Sequence, residues 1–132
     1  MKKILVITAM FATSAIAQIN VNELNGVNLA GGVVVTHIKV GNGEHPKYDS
    51  IVKVEYRGMF KNGQIFDQST SPIEFNLNQV IPCWTTGVQA MRVSGIAKLD
   101  CPSETAYGIR GMNNIIPPNT PLVFEVKLVG FN

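Results

Sequence analysis

Two long runs of this chain alternate apolar and polar side chains. The run 51–60, "IVKVEYRGMF", alternates valine and tyrosine with lysine, glutamate and arginine. The run 121–131, "PLVFEVKLVGF", carries leucine, phenylalanine or valine at every second position from 122 to 128. Because successive side chains of a β-strand point to opposite faces, these runs predict two strands of a sheet with one buried face and one solvated face.

Shorter segments predict the rest of the sheet. The β-branched run 33–40 ends at the turn residues "GNGEHP", and "KNGQ" separates run 51–60 from a return strand through "QIFDQ". An Asn-Gly pair supplies the positive φ angles of a tight type I′ turn, which we therefore expect at Asn62 and Gly63. The segments "SPIEFNL" and "IAKLD" add two extended pieces, and Pro72 restricts the first to an edge or a strand start.

One segment between the strands has helical spacing. Pro82 suits a first helical turn, and Gly95 lies near the expected stop. Gly87 weakens the helix, so packing of Trp84 would have to hold it. Several strands and one short helix predict an α+β fold, with an antiparallel sheet of about five strands wrapped around one short α-helix. The apolar side chains of this helix fall at positions i, i+3, i+7 and i+10: Ile81, Trp84, Val88 and Met91.

The first seventeen residues have the layout of a secretory signal peptide. Two lysines precede an apolar run over 4–12, and small alanines stand at positions 15 and 17. The apolar run is shorter than the roughly 20 residues that a bilayer span needs, which disfavours a membrane anchor. We therefore predict a signal peptide over 1–17, a short arm over 18–32 and one domain over 33–132. The mature protein is expected to be exported and away from the membrane.

Charge and motif content exclude several functions. Removal of the signal leaves nine basic residues against nine acidic ones, so no basic cluster favours nucleic acid. His37 and His45 lack the spacing of metal ligands, and we predict no metal site. The sequence contains no GxSxG, GxxxxGK or HExxH motif, which argues against hydrolase, phosphate-binding and metalloprotease chemistry. Cys83 and Cys101 leave two alternatives open, a disulfide in an oxidising compartment or two buried thiols.

Aromatic and branched side chains cluster near turns and element ends. The simplest interpretation is that all of them are core residues, and for Phe75 and Phe124, on alternating strands, a core role and a binding role are equally expected. Tyr107 is the exception, because a tyrosine beside glycine in the long loop 101–119 is less easily explained by packing alone. The set contains Tyr56, Phe66, Phe75, Val80, Ile81, Trp84, Tyr107 and Phe124.

Four segments of the chain resemble, in order, the signatures of the FKBP-type peptidyl-prolyl cis-trans isomerases. They are "VKVEYRGMFKNGQIFDQS", "NQVIPCWTTGVQAM", "AYGIRG" and "IIPPNTPLVFEVKLVGF", within a resemblance from Gly31 to the C-terminus. The resemblance implies catalysis of X-Pro isomerisation, whose barrier of roughly 18–20 kcal/mol is crossed without making or breaking a bond. No nucleophile, metal or cofactor is then needed.

The resemblance also implies roles for individual residues. Trp84 would form the floor of a proline pocket, the Ile81 backbone N–H would bind a ligand carbonyl, and Ile116 would overhang the pocket. Asp67, Tyr107 and Phe66 are the candidate catalytic residues, with Asp67 as an acidic rim residue and Tyr107 as a hydroxyl donor. The walls would be Tyr56, Phe66, Val80, Ile81 and Phe124.

The compartment, partners and alternatives follow from the same resemblance, which together with the short apolar region of the signal implies a periplasm. The expected partners are proline-containing segments of exported proteins, with tacrolimus or rapamycin as inhibitors. A chaperone or proline-peptide binding module with little isomerase activity is the alternative. The arm 18–32 is too short for the helical dimerisation arm of larger exported relatives, so we expect a monomer. The family usually carries glycine at the position of Cys83 and an apolar residue at that of Cys101, and this double departure motivates the disulfide hypothesis.

Overall fold

The computed structural model describes residues 26–132, and the predicted signal peptide lies outside this range. The α+β fold with one α-helix against an antiparallel sheet is confirmed, with seven strands instead of about five. The elements in chain order are β1 (Val27–Asn28), β2 (Val34–Lys39), β3 (Ile51–Phe60), β4 (Ile65–Gln68), β5 (Ile73–Asn76), α1 (Pro82–Gln89), β6 (Ile96–Cys101) and β7 (Leu122–Phe131).

The sheet is antiparallel throughout and centres on β3 and β7. Its strand order is β1-β2-β6-β7-β3-β4. Strand β5 pairs with the first half of β3, and β4 pairs with the second half. The two long alternating strands pair directly from Val52 with Phe131 to Phe60 with Leu122. Periodicity did not indicate β1, because this strand has only two residues and lies within the Asn- and Gly-rich arm. Its residues pair with Val34 and Val35 of β2.

Alternation along the strands decides which side chains form the core. Val52 and Val54 are fully buried, whereas Lys53 between them is exposed. On β7, the four residues at alternate positions from Leu122 to Leu128 are all buried. Helix α1 packs on this face and buries Cys83, Trp84, Gly87 and Val88. The buried face of the sheet and the helix thus form one core.

The turn between β3 and β4 is not the expected type I′ turn. A type I′ turn needs positive φ at both central residues, but Gly63 has a φ of 91° and Asn62 is not among the residues with positive φ. Phe60 accepts a hydrogen bond from Gly63 N–H and donates to the carbonyl of Gln64, each at 2.9 Å. The hairpin therefore has a three-residue loop with glycine in the left-handed position.

The helix ends earlier than the glycine at position 95 suggested. Its last residue is Gln89, and Met91 is buried just beyond it. A turn over 92–95 follows, in which Gly95 N–H donates to the Arg92 carbonyl at 2.9 Å and Ser94 has a φ of 72°. Gly95 therefore ends this turn and precedes β6. Within residues 26–132, no helix is long and apolar enough to span a bilayer.

Candidate functional site

An open cavity of about 450 Å³ lies at the start of α1, against the strands. Five aromatic rings and two branched aliphatic side chains give it a mainly apolar wall, and Asp67 supplies its one charge. Such a cavity, apolar with a few polar groups, is typical of a site for a small apolar group. The lining residues are Tyr56, Asp67, Phe75, Gln79, Val80, Ile81, Trp84, Tyr107 and Phe124.

Trp84 forms the aromatic centre of the cavity. It lies in the first turn of α1, and only 4% of its surface is exposed. Three rings meet it edge-on: Tyr56 at 5.2 Å between centroids, and Phe75 and Phe124 each at 5.5 Å. Edge-to-face pairs stabilise aromatic clusters beyond the area that they bury. The ring is therefore held from three sides.

The chain before α1 brings two further walls to the same place. Val80 and Ile81 follow a 3₁₀ turn at Leu77–Gln79, whose Leu77 carbonyl accepts a hydrogen bond from the Thr85 hydroxyl. The Ile81 carbonyl accepts from Trp84 N–H at 2.9 Å. Because Pro82 has no N–H, it occupies the first helical position without losing a bond. The stretch "VIPCW" thus places two apolar side chains and an indole at one helix start.

Several hydrogen-bond donors at the cavity, the buried Trp84 indole N–H among them, lack an acceptor in the described part of the chain. The Ile81 backbone N–H makes no hydrogen bond to residues 26–132, and neither does the Tyr107 hydroxyl. Burial raises the pKa of the Tyr107 hydroxyl above its usual value, and the negative charge of Asp67 adds to this shift. Tyr107 therefore keeps its proton at neutral pH. Both groups are available to the carbonyl oxygens of a bound peptide.

Asp67 is tied to the cavity wall through Tyr56. The Tyr56 hydroxyl donates to Oδ2 of Asp67 at 2.7 Å. Burial is the main cause that raises the pKa of Tyr56, followed by this hydrogen bond and the charge of Asp67. The tyrosine thus stays protonated, and its ring is fixed against Trp84. Asp67 itself is exposed at the rim.

The structure brings most of the predicted site residues together, but Phe66 is not in the cavity lining. Its ring packs on Phe60 at 5.2 Å and on Phe124 at 5.8 Å. Gly58 permits this arrangement, because a Cβ atom there would approach the rings of Phe66 and Phe124 to 2.8 Å. Phe66 therefore supports the wall from behind Phe124. The predicted residues that line the cavity are Tyr56, Asp67, Val80, Ile81, Trp84, Tyr107 and Phe124.

The expectation that Ile116 overhangs the pocket needs correction. Ile116 is only 3% exposed and belongs to the core, and it does not line the cavity. Met112 N–H donates to the Ile116 carbonyl at 2.8 Å, and Ile116 N–H donates back at 2.9 Å. This pairing folds the loop so that Ile116 points inward and Ile115, 49% exposed, lies outward.

Sequence reasoning missed Gln79 and left Phe75 undecided. Gln79 ends the 3₁₀ turn before Val80, where no periodic pattern distinguishes a lining residue from a surface residue. Phe75 pairs with Val52 across β5 and β3, so its side chain lies on the buried face. There it contacts Tyr56 and Trp84, which makes it both a core residue and a wall.

Cys83 and Cys101 form a disulfide in the structure. Their Cα atoms are 5.6 Å apart, and the bond joins the first turn of α1 to the last residue of β6. Both residues are buried, at 0% and 1% exposure. Because Cys83 precedes Trp84 directly, the disulfide anchors the backbone that carries the cavity floor.

Comparison with known proteins agrees with the geometry. Residues 42–129 match the family model described as FKBP-type peptidyl-prolyl cis-trans isomerase. A probable FKBP-type 25 kDa peptidyl-prolyl cis-trans isomerase of Pseudomonas aeruginosa is 41% identical over 123 residues, covering 93% of this chain and 52% of that protein. FK506-binding protein 1 of Dictyostelium discoideum is 43% identical over 105 residues, which are 76% of this chain and 98% of that protein.

A solved structure is similar over nearly the whole chain. The crystal structure of a peptidyl-prolyl cis-trans isomerase from Pseudomonas syringae pv. tomato superposes with a TM-score of 0.79 at 34% identity, covering 99% of this chain and 91% of that one. Some relatives are much longer than this chain, which spans about half the length of the Pseudomonas aeruginosa protein.

Proposed function

Because the chain belongs to the FKBP-type peptidyl-prolyl cis-trans isomerase family, we propose that it accelerates the cis-trans isomerisation of X-Pro bonds in polypeptides. The observation that carries this proposal is the aromatic cavity floored by Trp84, with unpaired donors at Ile81 and Tyr107 beside it. An apolar cup takes a proline ring, and two donors orient the peptide around it.

The proposed mechanism needs only a site that favours the twisted amide over the planar one. Water stabilises the planar, charge-separated form of the amide by hydrogen bonding to its carbonyl. A proline ring seated on Trp84, which is 4% exposed, would bring its amide out of that water. The planar amide then loses the stabilisation that water gave it, and the free-energy cost of twisting the bond out of resonance falls. Donors aimed at the flanking carbonyls hold the peptide in place while the bond rotates.

In this mechanism Asp67 does not transfer a proton, because rotation about an amide needs none. Its hydrogen bond from Tyr56 fixes that ring against Trp84 at a centroid distance of 5.2 Å. Phe66 supports Phe124 from behind. These two residues therefore act as positioning residues for the aromatic walls.

We extend the proposal to compartment and partners. The signal-like residues 1–17 and a disulfide in the domain favour export to an oxidising compartment such as a periplasm. The substrates would be proline-containing segments of other exported proteins during folding. The name of the Dictyostelium relative supports FK506 (tacrolimus), and by extension rapamycin, as inhibitors. We propose that the domain over 33–132 acts as a monomer.

Replacing Tyr107 by phenylalanine separates an isomerase from a module that only binds peptides. We expect kcat/KM for an X-Pro peptide to fall about three- to tenfold, the effect of one lost hydrogen bond. Affinity for a ground-state peptide should fall less than kcat/KM, because the hydroxyl holds a flanking carbonyl in place while the amide twists. Tyr48→Phe is the matched control, because Tyr48 is 60% exposed and outside the cavity lining. An equal loss of affinity and kcat/KM would show that the hydroxyl binds the planar and the twisted amide alike, whereas binding without any turnover by the wild type would favour the binding module.

A further inference from the structure

Asp67 is the only charged residue among the nine that line the cavity. Its side chain is exposed at the rim and accepts one hydrogen bond, from the Tyr56 hydroxyl. A carboxylate has about four acceptor positions on its two oxygens, so this bond leaves most of its capacity unused. The apolar cavity thus carries a single negative charge at its mouth.

No cation neutralises this charge within residues 26–132. Asp67 takes part in none of the ion pairs in this part of the chain. Arg110, which follows Tyr107 by three residues, lines a separate surface depression with residues 112–118. The ion pairs join Arg57 with Glu125, and Asp100 with both Lys61 and Lys98.

The sequence gives a reason for this imbalance. Between Asp67 and Arg92 the chain contains no lysine, arginine or histidine. This stretch supplies β5, the 3₁₀ turn and α1, and with them five of the nine lining residues. Its one charged residue, Glu74, is also acidic. One whole side of the cavity therefore offers no positive charge to pair with Asp67.

The charge of Asp67 reaches both tyrosine hydroxyls of the cavity. It contributes to the raised pKa of Tyr56, to which it is hydrogen-bonded, and of Tyr107, to which it is not. A charged side chain of a peptide lying between these hydroxyls would experience the same field. The attraction acts across solvent, so salt would screen it.

On the basis of the proposed isomerase function, we propose that Asp67 makes the site select X-Pro segments with a lysine or arginine next to the proline, and disfavour those with an acidic residue there. An exposed charge pair typically changes an equilibrium or rate constant by a factor of about two to five. Attraction of lysine and repulsion of glutamate act together. At low ionic strength we therefore expect kcat/KM to be about tenfold higher for a lysine peptide than for its glutamate counterpart.

The test measures kcat/KM on one tetrapeptide series in which lysine, glutamate or leucine precedes the proline, and on a second series in which the same residues follow it. Leucine peptides report the isomerase function itself. If they are not turned over, the proposed function fails. If they are turned over but the lysine-to-glutamate ratio is near one in both series, only the charge preference is overturned.

Variants assign the preference to Asp67. Asp67→Asn keeps an acceptor for the Tyr56 hydroxyl, and we expect its lysine-to-glutamate ratio to fall to within about twofold of one. Glu74→Gln is the matched control, since Glu74 is exposed opposite Lys53 in the β3–β5 register, outside the cavity lining, and its replacement should leave the ratio unchanged. A ratio that survives in Asp67→Asn would overturn the proposal. If that variant does not fold, the wild-type ratio must still approach one at about 1 M salt, where the Debye length is about 3 Å, and a ratio that does not change overturns it.

Discussion

Replacing Trp84 by alanine is expected to reduce kcat/KM for an X-Pro peptide by more than about tenfold and to lower the free energy of unfolding by about 3–5 kcal/mol. The indole is 4% exposed and meets three aromatic rings edge-on, so its removal opens a cavity in the core and removes the floor of the site. Urea unfolding and a peptide isomerisation assay measure the two losses.

A matched control separates activity from stability in this prediction. Leu128 is fully buried and lies outside the cavity lining, so Leu128→Ala should lose about 2–5 kcal/mol while its folded fraction keeps normal turnover. Trp84→Phe retains an aromatic floor if the alanine variant does not fold, and it should lose less activity than Trp84→Ala loses. Full activity in a folded Trp84→Ala variant would contradict the assigned floor.

Removing the disulfide is expected to cost about 3 kcal/mol of stability. The two cysteines are separated by 18 positions, and closing a loop of about this length removes a corresponding amount of entropy from the unfolded chain. The double variant Cys83→Ala/Cys101→Ala should therefore unfold at a lower urea concentration than the oxidised wild type. Because Cys83 precedes Trp84, we also expect a lower peptide affinity.

Reduced wild-type protein is the control for the disulfide prediction. It keeps both sulfur atoms in the core, so comparison with the alanine variant separates loss of the cross-link from loss of packing. Thiol labelling followed by mass analysis confirms the redox state of each sample. If fully reduced protein unfolds at the same urea concentration as oxidised protein, the disulfide does not stabilise this fold.

The strands could be predicted because they impose a period on the sequence. Val52, Val54 and the alternate residues of β7 are buried as the alternation required. The helix start could be predicted because Pro82 and the spacing of Trp84 and Val88 act locally. In each case the signal lies within a few residues of the element that it predicts.

The errors arose in turns and loops, where backbone hydrogen bonds leave no periodic pattern in the sequence. The loop around Ile116 follows from its backbone pairing with Met112, and no pattern in "GMNNIIPP" indicates which isoleucine points inward. The helix end depends on the turn before β6 and not on Gly95 alone. Turn type at Asn62 and Gly63 depends on how β3 and β4 are registered, which a dipeptide does not determine.

The site could be predicted only from the family resemblance, because the periodic pattern alone assigns its residues to the core. Tyr56, Trp84 and Phe124 lie on β3, α1 and β7, and they meet only in the folded chain. Their positions are consistent equally with a packed interior. The open cavity and the unpaired donors at Ile81 and Tyr107 distinguish a site from a core, and both appear only in three dimensions.

The most direct test of the central claim is cis-to-trans isomerisation of a proline tetrapeptide by the protein without residues 1–17. At about 10 °C the uncatalysed reaction takes minutes, which leaves a wide range for acceleration. We predict a rate that rises linearly with protein concentration and returns to the uncatalysed value when tacrolimus is added. No acceleration by protein that circular dichroism shows to be folded would contradict the isomerase function and favour a module that only binds proline peptides.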